Sequence, residues 1–343
     1  SLYHKGYNVT GSDDEIFDPS KSRLKKYGLL PKRDGWFTHR ITKDIDAVIL
    51  GMHAKEDNPE LIKAQEIGIP IFSYPEYIYE QSKNKKRIVI GGSHGKTSIT
   101  SMILHVLNKM GIDCDYMVGA QLDGFKTMIR LTQDAPLIIL EGDEYLSSPI
   151  DRRPKFHLYK PHIAVLTGIS WDHVNVFPTF DIYLEQFRKF KDMIKHTLIY
   201  CLEDQILDSL IKEKEISCEI IPYRTPQYNI KKGKTIISDT ELLIFGEHNL
   251  QNLNAARVTC SQIGVSDKDF FHHISTFKGA SNRLELIKET KTSSIYKDFA
   301  HSPSKLKATT NAMKEQFEDR KLVACMEFHT FSSLNKEFLN EYK

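Results

Sequence analysis

The sequence has few cysteines, and they are not arranged as a disulfide framework or a metal site. The five are scattered and form no CxxC pair; they are Cys114, Cys201, Cys218, Cys260 and Cys325. This pattern predicts reduced thiols and argues against structural zinc. The sequence also has no apolar run of membrane-spanning length and no recognisable signal peptide. We therefore expect a soluble, cytoplasmic protein with no membrane partner.

An excess of charge of either sign is equally absent. Lys and Arg together number 47, Asp and Glu number 45, and the formal net charge is +2. Such a balance offers no extended basic field for a polynucleotide, so we expect no nucleic-acid partner. The 343 residues are enough for two or three domains, each with its own core. The oligomeric state stays open.

The stretch of residues 85–111 predicts a nucleotide-binding site. An apolar run at residues 88–90 meets a glycine-rich turn, after which apolar residues recur at helical spacing. Such a turn lets backbone N–H groups close around phosphate oxygens at the start of a helix. Lys96 is expected to reach the β- and γ-phosphates, and the Thr97 hydroxyl to bind Mg²⁺. The predicted phosphate-binding residues are Gly92, Ser93, His94, Gly95, Lys96, Thr97 and Ser98.

This stretch departs from the general phosphate-loop pattern at one position. The pattern has a glycine five residues before the glycine of Gly-Lys-Thr, and Ile90 stands there instead. The match is therefore to a shorter variant. An ordinary strand–turn–helix is the alternative, but Gly-Lys-Thr at the strand-to-helix junction favours nucleotide binding.

Two further buried strands are predicted to end in polar residues beside this loop. Residues 137–140 form an apolar run that leads to Glu141, a carboxylate well placed to hold Mg²⁺ beside a phosphate loop. A solvated acidic loop is the alternative. Residues 163–169 form the next apolar run and lead to His173. A single histidine is more often packed or capping, but its expected place on the same sheet edge favours a metal ligand.

Residues 1–83 predict a small doubly wound α/β domain. We expect strands at residues 7–11, 47–51 and 70–72, and helices at residues 20–27 and 59–67. The first of these strands has no earlier strand to pair with, so we expect that residues precede Ser1. Ser12, Asp13 and His53 follow predicted strand ends, where open α/β sheets bind ligands. A solvated loop explains Asp13 equally well.

A third polar cluster lies at residues 245–256, where a strand is expected to end and an Ala-rich helix to begin. Asn249 and its neighbours crowd the start of this helix. Their amides could read the edge of a purine ring, yet helix caps and turns explain Asn here equally well. Spacing alone leaves both interpretations open.

Six motifs follow one another along the chain: GGSHGKT at residues 91–97, EGDEY at 141–145, DH at 172–173, GEHNLQN at 246–252, NRLE at 282–285 and DFAHSP at 298–303. Together they resemble the Mur ligase family, the ATP-dependent amide-bond ligases of bacterial cell-wall precursor synthesis. Their order and approximate spacing fit over nearly the whole chain. The resemblance is therefore highly specific.

The resemblance implies an α/β fold with a three-domain architecture. Residues 1–83 would be a Rossmann-like domain for the UDP-sugar, residues 84–280 the central P-loop ATPase domain, and residues 281–343 an incomplete Rossmann-like C-terminal domain. In the last part we expect regular elements at residues 294–296, 305–316, 322–326 and 334–342. The first domain's glycine-rich turn and the remainder of the last domain would lie outside this sequence.

The resemblance also implies a mechanism. The carboxylate of UDP-N-acetylmuramate would take the γ-phosphoryl group of ATP, and an amine would attack the resulting acyl phosphate. The catalytic residues would be Lys96, Glu141, His173 and His301. By implied role, the site residues are Thr97, Glu141 and His173 on Mg²⁺, Lys96 and Arg283 on the ATP phosphates, Asn249 on adenine, Asp298 on the ribose, His301 near the amine, and Ser12, Asp13 and His53 on the UDP-sugar.

Within the family, the resemblance is to the muramate-recognising branch, which contains the UDP-N-acetylmuramate–L-alanine ligase and the murein peptide ligase. EGDEY followed by DRRPKF at residues 151–156 is most similar to the latter, which joins a recycled tripeptide to the sugar. Other branches carry a carbamylated lysine on the helix after the DH pair, and Arg188 takes that position here. The amine donor stays open between L-alanine and the tripeptide.

Two other classes of function are also compatible with a phosphate loop. A P-loop NTPase that drives motion or signalling gives no reason for His173 or for the GEHNLQN cluster. A non-catalytic nucleotide-sugar-binding protein would keep the fold and lose turnover, and intact Lys96, Glu141 and His173 argue against it. We therefore predict an ATP- and Mg²⁺-dependent, ADP-forming ligase whose partners are UDP-N-acetylmuramate and an amino acid or tripeptide.

Overall fold

The computed structural model describes residues 1–52, 54–122, 124–171, 176–280, 283–300, 303–327 and 342, without the side chain of Ser304. Three predicted site residues, His53, His173 and His301, lie outside the described residues. The same holds for the element expected at residues 334–342, apart from Tyr342.

The N-terminal part contains a two-stranded parallel sheet and three helices. The helices are α1 (Ser20–Lys26), α2 (Pro59–Glu66) and α3 (Tyr74–Ser82), the strands are β1 (Val48–Leu50) and β2 (Ile71–Ser73), and 3₁₀ turns lie at Tyr3–Lys5 and Thr38–Arg40. Strand β1 pairs in parallel with β2, with Val48 opposite Ile71. The predicted order of elements from α1 to β2 is confirmed.

One prediction for this part is wrong, and one helix was not predicted. Residues 7–11 form no strand, and the Tyr7 side chain is 51% exposed. A strand requires a neighbour to share its backbone hydrogen bonds, and none of the described strands lies beside this segment. Helix α3 was not predicted, although the sequence carries its signal. Ser73 and Glu76 form a reciprocal capping box at its start.

The central part contains one seven-stranded sheet. Its elements are β3 (Lys86–Gly91), α4 (Lys96–Lys109), β4 (Asp115–Met117), β5 (Ile129–Arg130), β6 (Leu137–Glu141), α5 (Lys155–Leu158), β7 (Ile163–Leu166), α6 (Phe180–Met193), β8 (Thr197–Cys201), α7 (Gln205–Lys212) and β9 (Glu219–Tyr223). The order across the sheet is β5-β4-β6-β3-β7-β8-β9. Among these described strands, only β5 runs antiparallel to its neighbour. The predicted α/β class is confirmed.

The position of β3 between β6 and β7 determines where the site lies. Ile90 pairs with Glu141 on one side and with Val165 on the other. Parallel strands end at a common edge, so the loops that follow β3, β6 and β7 meet there. Each of the three strands contains a continuous apolar run, and Ile90 and Val165 are fully buried, as a covered parallel sheet requires.

The rest of the central part adds a small sheet and two helices. These elements are β10 (Asn229–Lys231), β11 (Lys234–Ile237), β12 (Thr240–Leu242), α8 (Glu247–Ser261) and α9 (Asp267–Ile274). Strands β10, β11 and β12 form the small antiparallel sheet. The last of them was expected to reach residue 245 but ends at Leu242. Helix α4 packs against α8 and α9, and α5 packs against α3 and α6.

The C-terminal part contains a strand pair, β13 (Glu285–Glu289) and β14 (Ser294–Lys297), and helix α10 (Pro303–Gln316). The elements expected at residues 294–296 and 305–316 are confirmed. Residues 322–326 form no regular element, and Val323 is 79% exposed because no described strand pairs with this apolar run. No helix in the described ranges combines the length and apolar character needed to cross a membrane.

Candidate active site

The glycine-rich turn after β3 is so tight that two of its positions admit only glycine. Gly92 has φ +115° and Gly95 has φ +76°, both in the region that favours glycine. A Cβ added at Gly92 would lie 2.3 Å from Thr167 Oγ1, and one added at Gly95 would lie 2.1 Å from Asn252 Oδ1. Helix α4 begins directly after Gly95. Its first N–H groups therefore open into the turn, as in an anion-binding loop.

Lys96 is held across this turn as a charged ammonium. Its Nζ donates hydrogen bonds of 2.6 Å to the Gly92 carbonyl and of 2.6 Å to Glu144 Oε2. The side chain of Lys96 is 14% exposed and that of Glu144 is 2% exposed. Burial acts to lower the pKa of Lys96, but the charges of Glu144, Asp143 and Glu141 outweigh it and raise the pKa. Lys96 therefore stays protonated at neutral pH.

The two predicted metal ligands within the described residues lie in contact. Thr97 Oγ1 donates a hydrogen bond of 2.8 Å to Glu141 Oε1, and the Gly119 N–H donates one of 2.7 Å to Glu141 Oε2. A hydroxyl and a carboxylate at this spacing fit Mg²⁺, which prefers oxygen ligands and takes others from phosphate and water. No three His, Cys, Asp or Glu side chains of the described part group into a complete metal site.

Three carboxylates crowd the end of β6, and two of them are neutralised by lysines. Glu144 pairs with Lys96, and Asp143 Oδ2 lies 2.7 Å from Lys155 Nζ. Burial acts to raise the pKa of Asp143, but Lys155 and Lys96 outweigh it, and the pKa is lowered. Glu141 forms no ion pair with any described residue. The unneutralised charge thus lies on the carboxylate that is predicted to bind Mg²⁺.

Lys155 was not predicted as a site residue. Its Nζ lies 5.5 Å from the centroid of the Tyr74 ring and 5.9 Å from that of Tyr145, within the range of a cation–π contact. Tyr74 opens helix α3, so this lysine joins the N-terminal part to the loop after β6. Lys155 is part of the DRRPKF motif. The ion pair of Lys155 with Asp143 depends on the fold and could not be read from the motif.

Tyr183 is a second side chain that the sequence did not single out. It is fully buried on α6, and its hydroxyl lies 2.9 Å from Ser93 Oγ and 3.3 Å from Glu144 Oε1. Ser93 Oγ also donates to the Ser170 carbonyl at 2.9 Å and accepts from the Ser170 N–H at 2.8 Å. The phosphate loop, the loop after β7 and helix α6 are therefore hydrogen-bonded together.

Three predicted ATP-binding residues line one small cleft beside α4. Ser98, Asn249 and Arg283 share it with the apolar side chains of Met102, Leu243, Ile244, Phe245, Phe277, Ala280 and Leu284. The cleft has room for only about one water molecule, so it would have to widen to admit a planar base. Asn249 Nδ2 donates to the Phe245 carbonyl at 2.9 Å, so this buried amide also fixes the start of α8. Asn249 is not a helix cap, because Gly246 occupies the N-cap position of α8 with no side-chain hydrogen bond.

Asp298 accepts hydrogen bonds from other residues of the C-terminal part. Its Oδ1 accepts a hydrogen bond of 3.0 Å from the Leu284 N–H, and its Oδ2 accepts one of 2.7 Å from the Thr309 hydroxyl. His248 lies near enough to this carboxylate to sense its charge, and it was not predicted as a site residue. Burial lowers the pKa of His248, and Asp298 opposes that shift only in part. His248 is therefore a neutral neighbour of Asp298.

Of the predicted UDP-sugar residues, Ser12 belongs to a hydrogen-bonded cluster and Asp13 is exposed to solvent. Ser12 Oγ donates to Glu60 Oε1 at 2.9 Å and accepts from Arg40 Nη1 at 3.1 Å. Arg40 was not predicted, and it brings a cation to the predicted ligand position. Asp13 is exposed and its Oδ1 accepts from the Asp14 N–H. This favours the alternative that Asp13 is a solvated loop residue.

Comparisons with known proteins agree on one family. A model of the Mur ligase middle domain matches residues 90–260. The UDP-N-acetylmuramate–L-alanine ligase of Lactobacillus acidophilus is 30% identical over 349 residues, covering 98% of this chain and 76% of that protein. The UDP-N-acetylmuramate–L-alanyl-gamma-D-glutamyl-meso-2,6-diaminoheptandioate ligase of Haemophilus influenzae is 27% identical, covering 91% and 72%. The crystal structure of a murein peptide ligase from Psychrobacter arcticus shares the fold, with a TM-score of 0.72 at 24% identity, covering 92% and 73%.

Proposed function

The chain belongs to the Mur ligase family of ATP-dependent amide-bond ligases, and on that basis we propose that it joins an amino acid or peptide to the carboxylate of UDP-N-acetylmuramate. ATP would be converted to ADP and phosphate. The observation that carries the proposal is the hydrogen bond between Thr97 and Glu141, directly beside Lys96 on the phosphate loop. A lysine, a hydroxyl and an unpaired carboxylate at one sheet edge are the groups that phosphoryl transfer requires.

The chemistry explains why ATP is needed. A carboxylate and an amine do not condense in water, so the muramoyl carboxylate oxygen first attacks the γ-phosphorus and the bond to the ADP oxygen breaks. The amine nitrogen then attacks the acyl carbon of this acyl phosphate. The acyl carbon–oxygen bond breaks, phosphate leaves, and the nitrogen loses a proton. The difficult step is the first, because two anions must meet.

Lys96 and the loop amides would serve that first step. The raised pKa of Lys96 keeps its ammonium charged at neutral pH, although burial alone would lower that pKa. On nucleotide binding, the ammonium would turn from Glu144 and the Gly92 carbonyl to the β- and γ-phosphates. The N–H groups at the start of α4 would donate to the same oxygens. Their positions are fixed by the close contacts around Gly92 and Gly95.

Thr97 and Glu141 fit a magnesium ion that accompanies the nucleotide. Glu141 carries the one carboxylate of this cluster that no described lysine or arginine neutralises, and its orientation is held by Gly119. The ion would supply charge neutralisation of the transferring phosphoryl group. His173 is proposed as a ligand of a second ion from its motif.

The three predicted domains would assemble this site. We propose boundaries at residues 1–83, 84–280 and 281–343, with the UDP-sugar bound near Ser12 and Arg40 in the first. Arg283 and Asp298 come from the third, and Arg283 already lines one cleft with Ser98 and Asn249 of the second, so full ATP binding would require these two parts to be closed on one another. Closure would also exclude water, which would otherwise hydrolyse the acyl phosphate. His301 is proposed near the incoming amine from its motif.

For the amine donor, we propose the L-alanyl-γ-D-glutamyl-meso-diaminopimelate tripeptide. The support is the EGDEY and DRRPKF pair of motifs, whose members Asp143 and Lys155 form an ion pair of 2.7 Å. Arg188, in place of a carbamylated lysine, pairs with Glu213 at 2.8 Å and so has a separate role. L-alanine is the second candidate, because the relative of 30% identity is named an L-alanine ligase.

The test is phosphate release from ATP by the purified chain with UDP-N-acetylmuramate and each amine donor in turn. We expect release only when all three substrates are present, and faster release with the tripeptide than with L-alanine. Release with L-alanine but not with the tripeptide as the amine donor would support the ligase function. It would overturn the proposal that the tripeptide is the amine donor. Binding of UDP-N-acetylmuramate without release in any mixture would indicate the non-catalytic binding protein instead.

A further inference from the structure

The carboxyl ends of two sheets meet at Lys155. Tyr74 directly follows β2 as the first residue of α3, so it lies at the carboxyl end of the N-terminal sheet. Asp143 follows β6, at the carboxyl end of the central sheet. Lys155 Nζ lies 2.7 Å from Asp143 Oδ2 and 5.5 Å from the centroid of the Tyr74 ring. Open parallel sheets bind ligands at this end, so Lys155 lies where a ligand of one sheet would meet a ligand of the other.

Further contacts fix this junction between the N-terminal and central parts. Arg153 Nη2 lies 3.3 Å from Glu76 Oε1 and 2.6 Å from Asp151 Oδ2, and Glu76 belongs to the capping box of α3. The Lys155 N–H donates a hydrogen bond of 2.9 Å to the Tyr145 carbonyl. The lysine is therefore held both by its backbone and by side chains from the two parts.

Lys155 is a charged and poorly hydrated cation at this junction. Burial acts to lower the pKa of Lys155, but the charge of Asp143 and the contacts with Tyr74 outweigh it and raise the pKa. The side chain of Lys155 is 11% exposed and that of Asp143 is 34% exposed, so a ligand can reach the pair although little water surrounds the ammonium. Such a cation binds an anion more strongly than a fully solvated one. An ammonium donates up to three hydrogen bonds and can bridge two carboxylates.

We propose that Lys155 is a substrate-binding residue whose ammonium holds the carboxylate of UDP-N-acetylmuramate while that carboxylate attacks the γ-phosphorus of ATP. This inference rests on the proposed function, which brings the sugar acid from the N-terminal part to the nucleotide on the central part. Two anions must meet in that step, and Lys96 is assigned to the phosphates. Lys155 neutralises the carboxylate and keeps its three protons, while the carboxylate oxygen bonds to phosphorus and the bond to the ADP oxygen breaks.

The direct test compares two nucleotide sugars in the variant Lys155→Met. UDP-N-acetylglucosamine lacks the lactyl group, and hence the carboxylate, of UDP-N-acetylmuramate. We expect the Kd for UDP-N-acetylmuramate to rise about 10- to 100-fold, the range for one hydrogen bond to a charged group. The Kd for UDP-N-acetylglucosamine should stay within about two-fold of wild type. Both are measured by isothermal titration calorimetry with Mg²⁺ and a non-hydrolysable ATP analogue. An unchanged Kd for UDP-N-acetylmuramate, or equal losses for both sugars, would overturn the proposal.

The double variant Lys155→Met with Asp143→Asn tests whether the lysine serves only to neutralise Asp143. Removing the lysine alone leaves the Asp143 carboxylate without this partner, and that charge would itself repel an anionic ligand and strain the fold. The double variant removes both charges and nearly keeps both side-chain volumes. The proposal predicts that it retains the loss of about 10- to 100-fold for UDP-N-acetylmuramate. Recovery of the wild-type Kd would show that neutralising Asp143 is the whole role of Lys155 and would overturn the proposal.

Lys160→Met is the matched control. Lys160 Nζ also lies over a tyrosine ring of α3, 4.6 Å from the centroid of Tyr79. Its carbonyl accepts a hydrogen bond of 3.0 Å from Arg87 Nε near the amino end of β3, so it lies at the opposite end of the sheet. Lys160→Met should leave both dissociation constants unchanged. A loss equal to that in Lys155→Met would indicate a general weakening of the contact with α3 and refute the specific role.

The same titrations separate this inference from the proposed function. A wild-type chain that binds no UDP-N-acetylmuramate refutes the proposed function. A wild-type chain that binds it, with a Kd that Lys155→Met does not change, refutes only the role of Lys155.

Discussion

The Thr97 hydroxyl donates a hydrogen bond of 2.8 Å to Glu141 Oε1 and so joins the first turn of α4 to the end of β6. The two residues are 44 positions apart in the sequence, and the parallel pairing of β3 with β6 brings them together. Both oxygens are the kind that Mg²⁺ prefers. The sheet pairing therefore places both proposed metal ligands at one edge.

Thr97→Val tests this position while nearly keeping the side-chain volume. We expect the Mg²⁺ concentration for half-maximal activity to rise about ten-fold or more, because one oxygen ligand is lost. Thr97→Ser, which keeps the hydroxyl, should restore most of the wild-type value. Activity is measured over a Mg²⁺ titration at saturating ATP. Identical titrations for the valine variant and wild type would remove Thr97 from the metal site.

Lys96→Ala should abolish turnover. It removes the cation that would neutralise the transferring phosphoryl group, a change we expect to cost at least about 1,000-fold in kcat. The Kd for UDP-N-acetylmuramate should change little, because that ligand is proposed to bind the N-terminal part. Lys109→Ala, at the exposed far end of the same helix, is the control and should keep full activity. Amide formation by Lys96→Ala at the wild-type rate would refute the assigned role.

Gly95→Ala tests the shape of the phosphate loop. The added methyl group would meet Asn252 Oδ1 at 2.1 Å, so the turn must open and ATP affinity should fall about 100-fold or more. Gly111→Ala is matched in backbone conformation, with φ +70°, but has nothing within 4 Å of the added carbon. It should lower the free energy of unfolding by about 1 kcal/mol and leave ATP affinity intact. Equal ATP affinities of the two variants would contradict the loop assignment.

His157 should make the fold sensitive to acid. Burial lowers its pKa from 6.5 to about 4, even though the hydrogen bond to the Gln186 carbonyl opposes the shift. Above pH 6.5 the imidazole is neutral in both states, and as the pH falls toward 4 the unfolded state takes up the proton first. The wild type should therefore lose about 2 kcal/mol at pH 5 relative to pH 7 from this residue alone.

The measurement is urea unfolding of wild type and His157→Gln at pH 7 and pH 5. The glutamine variant lacks this titration, so its unfolding free energy should fall by about 2 kcal/mol less than that of wild type over the same interval. Parallel losses in the two proteins would show that His157 does not titrate as its burial requires.

The meeting of Lys96, Thr97 and Glu141 at one sheet edge could be predicted from sequence because the strands that precede them have local signals. The apolar runs before Lys96 and Glu141 identify parallel strands, and parallel strands end at one edge. The resemblance to the Mur ligase family and the α/β fold class are likewise confirmed. The roles assigned to individual site residues and the three domain boundaries remain predictions.

The parts that could not be predicted depend on distant neighbours. Tyr183 and Lys155 reach Glu144 and Asp143 only through packing of α5 and α6 beside the sheet, and nothing in their local sequence indicates these partners. The strand expected at residues 7–11 fails for the same reason, since pairing is not a local property. Helix α3 is different, because its capping box was present in the sequence.

The most direct test of the account is the fate of a carboxylate oxygen. UDP-N-acetylmuramate labelled with ¹⁸O in its carboxylate is incubated with the enzyme, ATP, Mg²⁺ and the tripeptide, and the released phosphate is analysed by mass spectrometry. An acyl-phosphate route predicts one ¹⁸O atom in each phosphate molecule at full labelling. Amide product accompanied by unlabelled phosphate would contradict activation of the carboxylate by ATP.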